Sequence, residues 1–98
     1  MNTENLKEKI VPIAVQYGVS KLALFGSAAI GEVGENSDID ILIDKGTLIN
    51  PLSFCEFCDI LEEAIGRAVD VVTYTSIQNS VLKDSILSKE VVLYERQR

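Results

Sequence analysis

Three aspartates stand where the chain would otherwise read as apolar, buried strand. Asp38 and Asp40 flank Ile39 in Asp38-Ile39-Asp40-Ile41-Leu42-Ile43, and Asp70 interrupts Ala68-Val69-Asp70-Val71-Val72-Thr73-Tyr74. Side chains alternate across a strand, so Asp38 and Asp40 project from one face, roughly 6.5–7 Å apart along the chain. Aspartate is depleted in strands, and a buried carboxylate is costly unless something compensates its charge. Three carboxylates converging on one face would repel one another, and a divalent cation is the natural remedy. Hard oxygen ligands suit magnesium or manganese. Each acid also has a purely structural explanation. Asp38 could cap the start of its strand, Asp40 could pair with a Lys or Arg, and Asp70 could lie on a sheet edge or bridge to Arg67 or Lys83.

A second feature lies just upstream. The apolar run Lys21-Leu22-Ala23-Leu24-Phe25 leads into Gly26-Ser27. A glycine there lets backbone approach a phosphate closely, and the following N–H groups and the Ser27 hydroxyl can donate to its oxygens. Gly-Ser alone is found in countless turns. Its value comes from position, because Asp38-Ile39-Asp40 begins after ten intervening residues. A phosphate-binding corner beside an acid pair is a layout for handling a metal-bound triphosphate.

The elements that must position these groups can be read from hydrophobic periodicity. Leu6, Ile10, Ile13, Ala14 and Tyr17 fall at helical spacing, which predicts an amphipathic helix over about Thr3 to Tyr17, loosened at Pro12 and stopped by Gly18. A short buried strand follows at Lys21–Phe25, then a loop from Gly26 to Ser37 with room for a helical turn after Ser27. Asp38–Ile43 is the second strand, and Lys45–Asn50 a turn. Pro51 opens a helix to about Ile65, with Leu52, Phe54, Phe57, Cys58, Leu61 and Ile65 facing the core and Gly66-Arg67 ending it. Ala68–Tyr74 is a β-branched strand, Thr75 or Ser76 caps a helix to about Lys89, and Val91–Tyr94 adds a last strand. The order α-β-β-α-β-α-β predicts an α+β fold, a small mixed sheet with helices packed on it.

Composition narrows the chemistry. With 98 residues there is room for one domain, taken as 1–98, which can fold unaided. The chain has no histidine, which excludes a Ser-His-Asp triad, a Cys-His pair and an imidazole-bound zinc centre. A net charge of −6 argues against general binding of nucleic acid. No apolar run is long enough for a membrane span and the polar N-terminus lacks signal-peptide order, so a cytoplasmic location is expected. Cys55 and Cys58 form one C-x-x-C, too few ligands for structural zinc, inside what reads as an amphipathic helix; both are expected to be small buried or half-buried hydrophobes.

Gly26-Ser27, ten residues, then Asp38-Ile39-Asp40 resembles the G-S-x10-D-x-D signature of the polymerase β-like nucleotidyltransferase superfamily, with Asp70 where that superfamily has its third carboxylate. The resemblance covers most of the chain and is closest to the minimal nucleotidyltransferases (MNT), the antitoxins of HEPN/MNT toxin–antitoxin pairs. It implies a polymerase β-like core and two-metal chemistry. Asp38 and Asp40 would hold both Mg2+ ions, Asp70 would hold the catalytic one and draw a proton from the attacking hydroxyl, and Gly26 and Ser27 would hold the triphosphate of ATP. MNT proteins are similar in transferring AMP from ATP to a tyrosine of the partner HEPN toxin. The pattern G-S-R-A-R-G, common in that family, reads Gly26-Ser27-Ala28-Ala29-Ile30-Gly31 here, so both arginines are absent. Lys45, Lys83 or Arg67 could substitute, although surface roles are expected of all three.

Three functions follow as expectations. The first is a Mg2+-dependent protein adenylyltransferase acting on a HEPN-type toxin. The alternative is an antitoxin of weak catalytic power that neutralises its toxin by binding, steered by its acidic surface. Transfer to a small molecule such as an aminoglycoside is a third, for which the chain has no evident substrate domain. A homodimer or a hetero-oligomer with the toxin is left open.

Overall fold

The computed structural model describes residues 3–26 and 38–96. Helix α1 (Thr3–Gln16) turns Leu6, Ile10 and Ala14, spaced four apart, into the core. It runs through Pro12, which lies on its exposed side. Gly18, in the left-handed region at φ 77°, turns the chain toward β1 (Lys21–Leu24). The order continues with β2 (Ile39–Asp44), α2 (Pro51–Ile65), β3 (Val69–Thr73), α3 (Lys83–Lys89) and β4 (Val91–Glu95), matching the α-β-β-α-β-α-β reading.

The four strands form one mixed sheet in the order β3-β2-β1-β4. β1 runs antiparallel to both β2 and β4, with an irregularity between Leu22 and Ala23 on the β4 side. β2 and β3 are parallel and are joined through α2, forming a βαβ unit. α1 and α2 cover one face. Leu6, Ile10 and Ala14 meet Phe57, Leu61 and Ile65 of α2 over Leu22, Leu24, Ile39, Ile41 and Ile43 of the sheet. The Tyr17 and Phe57 rings join the two helices with centroids 5.7 Å apart.

The ends of α2 are fixed by local chemistry. Asn50 Oδ1 accepts the Leu52 N–H at 2.8 Å and the Ser53 N–H at 3.4 Å, and Pro51 fills the first turn, where no donor is needed. At the other end Gly66, at φ 78°, donates its N–H to Glu62 O at 2.8 Å. Leu52 was expected in the core stripe, yet it is 76% exposed. It lies in the first turn of α2, beyond the stretch in which Phe57, Leu61 and Ile65 reach the sheet. Cys55 is exposed rather than buried, and Cys58 is half-buried, so only the second cysteine packs as a small hydrophobe.

The connection from β3 to β4 runs from one edge of the sheet to the other. A continuous helix from Thr75 or Ser76 to Lys89 was expected there. Instead, successive turns run to Leu82, and only Lys83–Lys89 is helical. Hydroxyl side chains compete for the backbone groups a helix would need. Ser76 Oγ donates to Thr73 O at 2.8 Å, Thr73 Oγ1 accepts the Ser76 N–H at 3.0 Å, and Ser80 Oγ accepts the Leu82 N–H at 3.1 Å. Ala23 and Leu42, which alternate away from the helix-covered face, are nevertheless fully buried, as is Ile77 of the turn segment almost completely. Tyr74 secures this connection. Its hydroxyl donates to Glu90 Oε2 at 2.5 Å, while Lys21 Nζ sits 4.8 Å from its ring centroid and 3.5 Å from Glu90 Oε1.

Candidate active site

The three aspartates gather at one end of the sheet. Asp40 is the second residue of β2 and Asp70 the second of β3, and they are register partners across the parallel pair. Neighbouring strands lie about 4.8 Å apart, so two like charges share one rung. Asp38 immediately precedes β2. Ile39, Ile41 and Ile43 bury themselves under the helices, which forces Asp40 onto the opposite face by simple alternation. The same alternation in β3 sends Val69 and Val71 to the core and Asp70 away from it.

These acids are less buried than their strands implied. Asp38 and Asp70 are exposed and Asp40 is half-buried. The reason is topological: β3 is an edge strand, and this end of the second face is open enough to keep carboxylates wet. The edge explains how β3 tolerates an aspartate. It does not explain why that aspartate faces another one. Of the structural alternatives, the bridge from Asp70 to Lys83 does not form, since Lys83 Nζ binds Gln78 Oε1 at 2.9 Å. Among the described residues no cation or hydrogen bond engages the Asp40 carboxylate. Burial, then the charge of Asp70, then that of Asp38 push its carboxyl above the usual carboxylate range. Asp70 and Asp38 therefore both bear electrostatically on Asp40.

Gly26 completes this corner. The Phe25 N–H donates to Asp40 O at 3.1 Å, which clamps the end of β1 to Asp40. Gly26 then turns with φ 62°, a region that side chains enter at a cost. Ser27, the other residue expected at the phosphate, lies outside the described residues, as do Ala28 and Ile30.

Sequence reasoning missed one contributor. Glu62, on α2, accepts the Val69 N–H at 2.9 Å through Oε2, so the helix holds the start of β3 one residue before Asp70. Its only signal in the sequence is a glutamate placed among apolar residues near a helix end. A cleft of about 360 Å³ lies elsewhere, lined by Ser20, Lys21, Asp44, Gly46, Glu95 and Arg96 at the opposite end of β1 and β2. The Cys58 thiol is pushed up by burial, then by Cys55, Asp59 and Glu62, which makes it a poor nucleophile.

Whether this donor set suits a metal can be judged from the side chains. Among the described residues no three acids are already drawn together into a metal-ligating group. Their chemistry nevertheless fits a hard divalent cation. All three are oxygen donors, burial and then the charges of Asp70 and Asp38 raise Asp40, and a cation beside them would offset that repulsion.

Comparison with known proteins adds an independent line. Residues 8–98 match the family model "Polymerase beta, Nucleotidyltransferase". The protein named "Putative protein adenylyltransferase MJ0435" of Methanocaldococcus jannaschii is 44% identical over 91 residues, spanning 93% of this chain and 97% of that protein. Protein adenylyltransferase MntA of Thermococcus cleftensis is 36% identical over 77 residues, 79% of this chain and 76% of the other. A chain from a crystal structure of a toxin–antitoxin with AMP-PNP superposes with a TM-score of 0.76 at 26% identity, covering 93% of this chain and 74% of that one. Fold, paired carboxylates and relatives agree, and the chain belongs to the polymerase β nucleotidyltransferase family, as an enzyme alongside relatives named protein adenylyltransferases.

Proposed function

We propose that this protein is the Mg2+-dependent adenylyltransferase antitoxin of a toxin–antitoxin pair, transferring AMP from ATP to a tyrosine hydroxyl of a HEPN-type toxin in the cytoplasm. The observation that carries the reading is the Asp40–Asp70 rung with Asp38 beside it, a concentration of like charge that folding alone does not need. The AMP-PNP in the similar toxin–antitoxin structure supports ATP as the donor.

In this reading Asp38 and Asp40 would hold two metal ions and Asp70 would hold one of the same pair. Bound there, the ions supply charge stabilisation at the phosphate oxygens. The protein does the rest with its own groups. Asp70, exposed on the edge strand, is accessible to a hydroxyl brought by a partner and takes its proton at a carboxylate oxygen. The tyrosine oxygen forms a bond to the α-phosphorus, the bond from that phosphorus to the bridging oxygen breaks, and pyrophosphate leaves. Gly26 and Ser27 hold the triphosphate end of ATP. In this reading the partner toxin presents the acceptor tyrosine.

Incubating the protein with labelled ATP, Mg2+ and its neighbouring toxin should label the toxin on tyrosine. An unlabelled toxin, beside an active relative as control, would sink the proposal. A second reading has its own support: the absent arginines at Ala28 and Ile30 and the charge of −6 suit an antitoxin that works by contact. Asp38→Asn with Asp40→Asn separates the two. Full neutralisation by that variant would favour contact, and lost neutralisation in an intact complex would favour transfer.

A further inference from the structure

We propose that Gly26 is a positioning residue for Asp40, and that its missing side chain makes the space in which the Asp40 carboxylate lies. The inference rests on the metal-binding role proposed for Asp40 and deepens it: the corner glycine governs a metal ligand as well as the approach of phosphate.

The geometry is specific to one neighbour. A Cβ added at Gly26 would meet Asp40 Oδ2 at 2.5 Å, Asp40 Cγ at 3.5 Å and Asp40 Cβ at 3.7 Å, so among the described residues its near contacts are all with one side chain. Real Cβ atoms do not approach an oxygen so closely, and something must move. The backbones cannot part easily, because the Phe25 N–H is bonded to Asp40 O at 3.1 Å. The carboxylate is the free end of a short side chain, so it is what yields. A side chain at position 26 therefore displaces a ligand while leaving the fold in place.

Gly66 supplies the matched control. It shares the left-handed backbone, at φ 78° against 62° for Gly26, but a Cβ there meets nothing within 4 Å. Gly66→Ala carries the conformational cost alone, whereas Gly26→Ala carries that cost and the collision with Asp40.

Two measurements on the whole protein test this. Mn2+ titration without nucleotide should show an affinity about 10–100-fold weaker in Gly26→Ala, the loss expected when the support of a ligand is removed. Gly66→Ala should weaken Mn2+ binding less than Gly26→Ala does, because no collision with Asp40 accompanies its backbone cost. In parallel, denaturant unfolding in chelator should place Gly26→Ala, Asp40→Ala and their combination in a double-mutant cycle. The collision disappears when the Asp40 side chain is shortened, so the two changes should be non-additive, with Gly26→Ala costing less in the Asp40→Ala background. Mn2+ affinity unchanged in Gly26→Ala, or additive unfolding energies, would overturn the proposal. If the parent protein binds no Mn2+, the metal-binding role fails by itself, and the unfolding cycle still decides whether Gly26 seats Asp40.

Discussion

Removing the Asp40 charge should make the metal-free protein more stable. Asp40 and Asp70 face each other on adjacent parallel strands. At a separation of about 5 Å, two unit charges repel by ~3 kcal/mol at an effective dielectric of 20, and by ~0.8 kcal/mol in bulk water. Asp70 is exposed and Asp40 half-buried, so solvent screening brings the value toward the lower figure, about 1 kcal/mol. Asp40→Asn keeps the shape of the side chain and removes this repulsion. A change of that size corresponds to roughly 4–8 °C in Tm for a domain of this length.

The pH dependence gives the prediction its sharper edge. The folded protein holds the Asp40 proton above the ordinary value of 3.8. Over that interval the folded state binds more protons than the unfolded chain, so this group's contribution to stability falls as pH rises through it. The advantage of Asp40→Asn should shrink as pH falls through the ordinary value of 3.8, where the unfolded chain also takes up the proton, and be larger at neutral pH. Thermal melts in chelator, at low salt and across this range, would measure it. Added Mg2+ should raise the Tm of the parent and leave the variant nearly unmoved. A variant no more stable than the parent at pH 7, or one whose advantage persists undiminished at pH 3.5, would refute the reasoning.

Three further outcomes follow from the contacts that hold the site in place. Glu62→Ala leaves the Val69 N–H without its acceptor, which should cost about 1–3 kcal/mol in urea unfolding and lower kcat through Asp70, with Glu62→Gln restoring much of both. Tyr74→Phe deletes the hydroxyl that donates to Glu90, and about 0.5–1.5 kcal/mol should be lost, together with faster amide exchange in the 74–90 connection. Burial, then Glu90, push the Tyr74 hydroxyl well above the usual phenol range, so this contribution should persist throughout neutral and mildly alkaline pH. Asn50→Ala removes the acceptor for the Leu52 and Ser53 N–H groups and should cost about 1 kcal/mol of stability with no effect on activity, since the cap lies far from Asp40 in the fold.

What the sequence made legible was what depends on neighbours along the chain. The isoleucines of β2 alternate with acids, and that period alone places Asp40 opposite the core. The span of α2 is visible at both ends because Asn50, Pro51 and Gly66 each act within a turn of their own position. The turns after Thr73 escaped, because whether Ser76 and Ser80 cap a helix or break one depends on which backbone group reaches their hydroxyls first. The exposure of the aspartates escaped for a larger reason, since edge or interior is a property of strand order.

The same distinction explains why the site was visible as a motif and invisible as a place. Gly26-Ser27 and Asp38-Ile39-Asp40 are near one another in sequence, whereas the rung that pairs Asp40 with Asp70 is set by the parallel register of β2 and β3. That register depends on where α2 returns the chain, and Gly66 and Glu62 decide this together: one ends the helix, and the other takes hold of the Val69 N–H. A glutamate that touches no substrate thus helps determine where the third carboxylate stands. The cost of the arrangement appears at Asp40, whose carboxyl is raised first by burial and then by the acids brought beside it. A fold that gathers like charges at the end of its sheet, and supplies no cation to Asp40 among its described residues, should be more stable with a cationic ligand than without one.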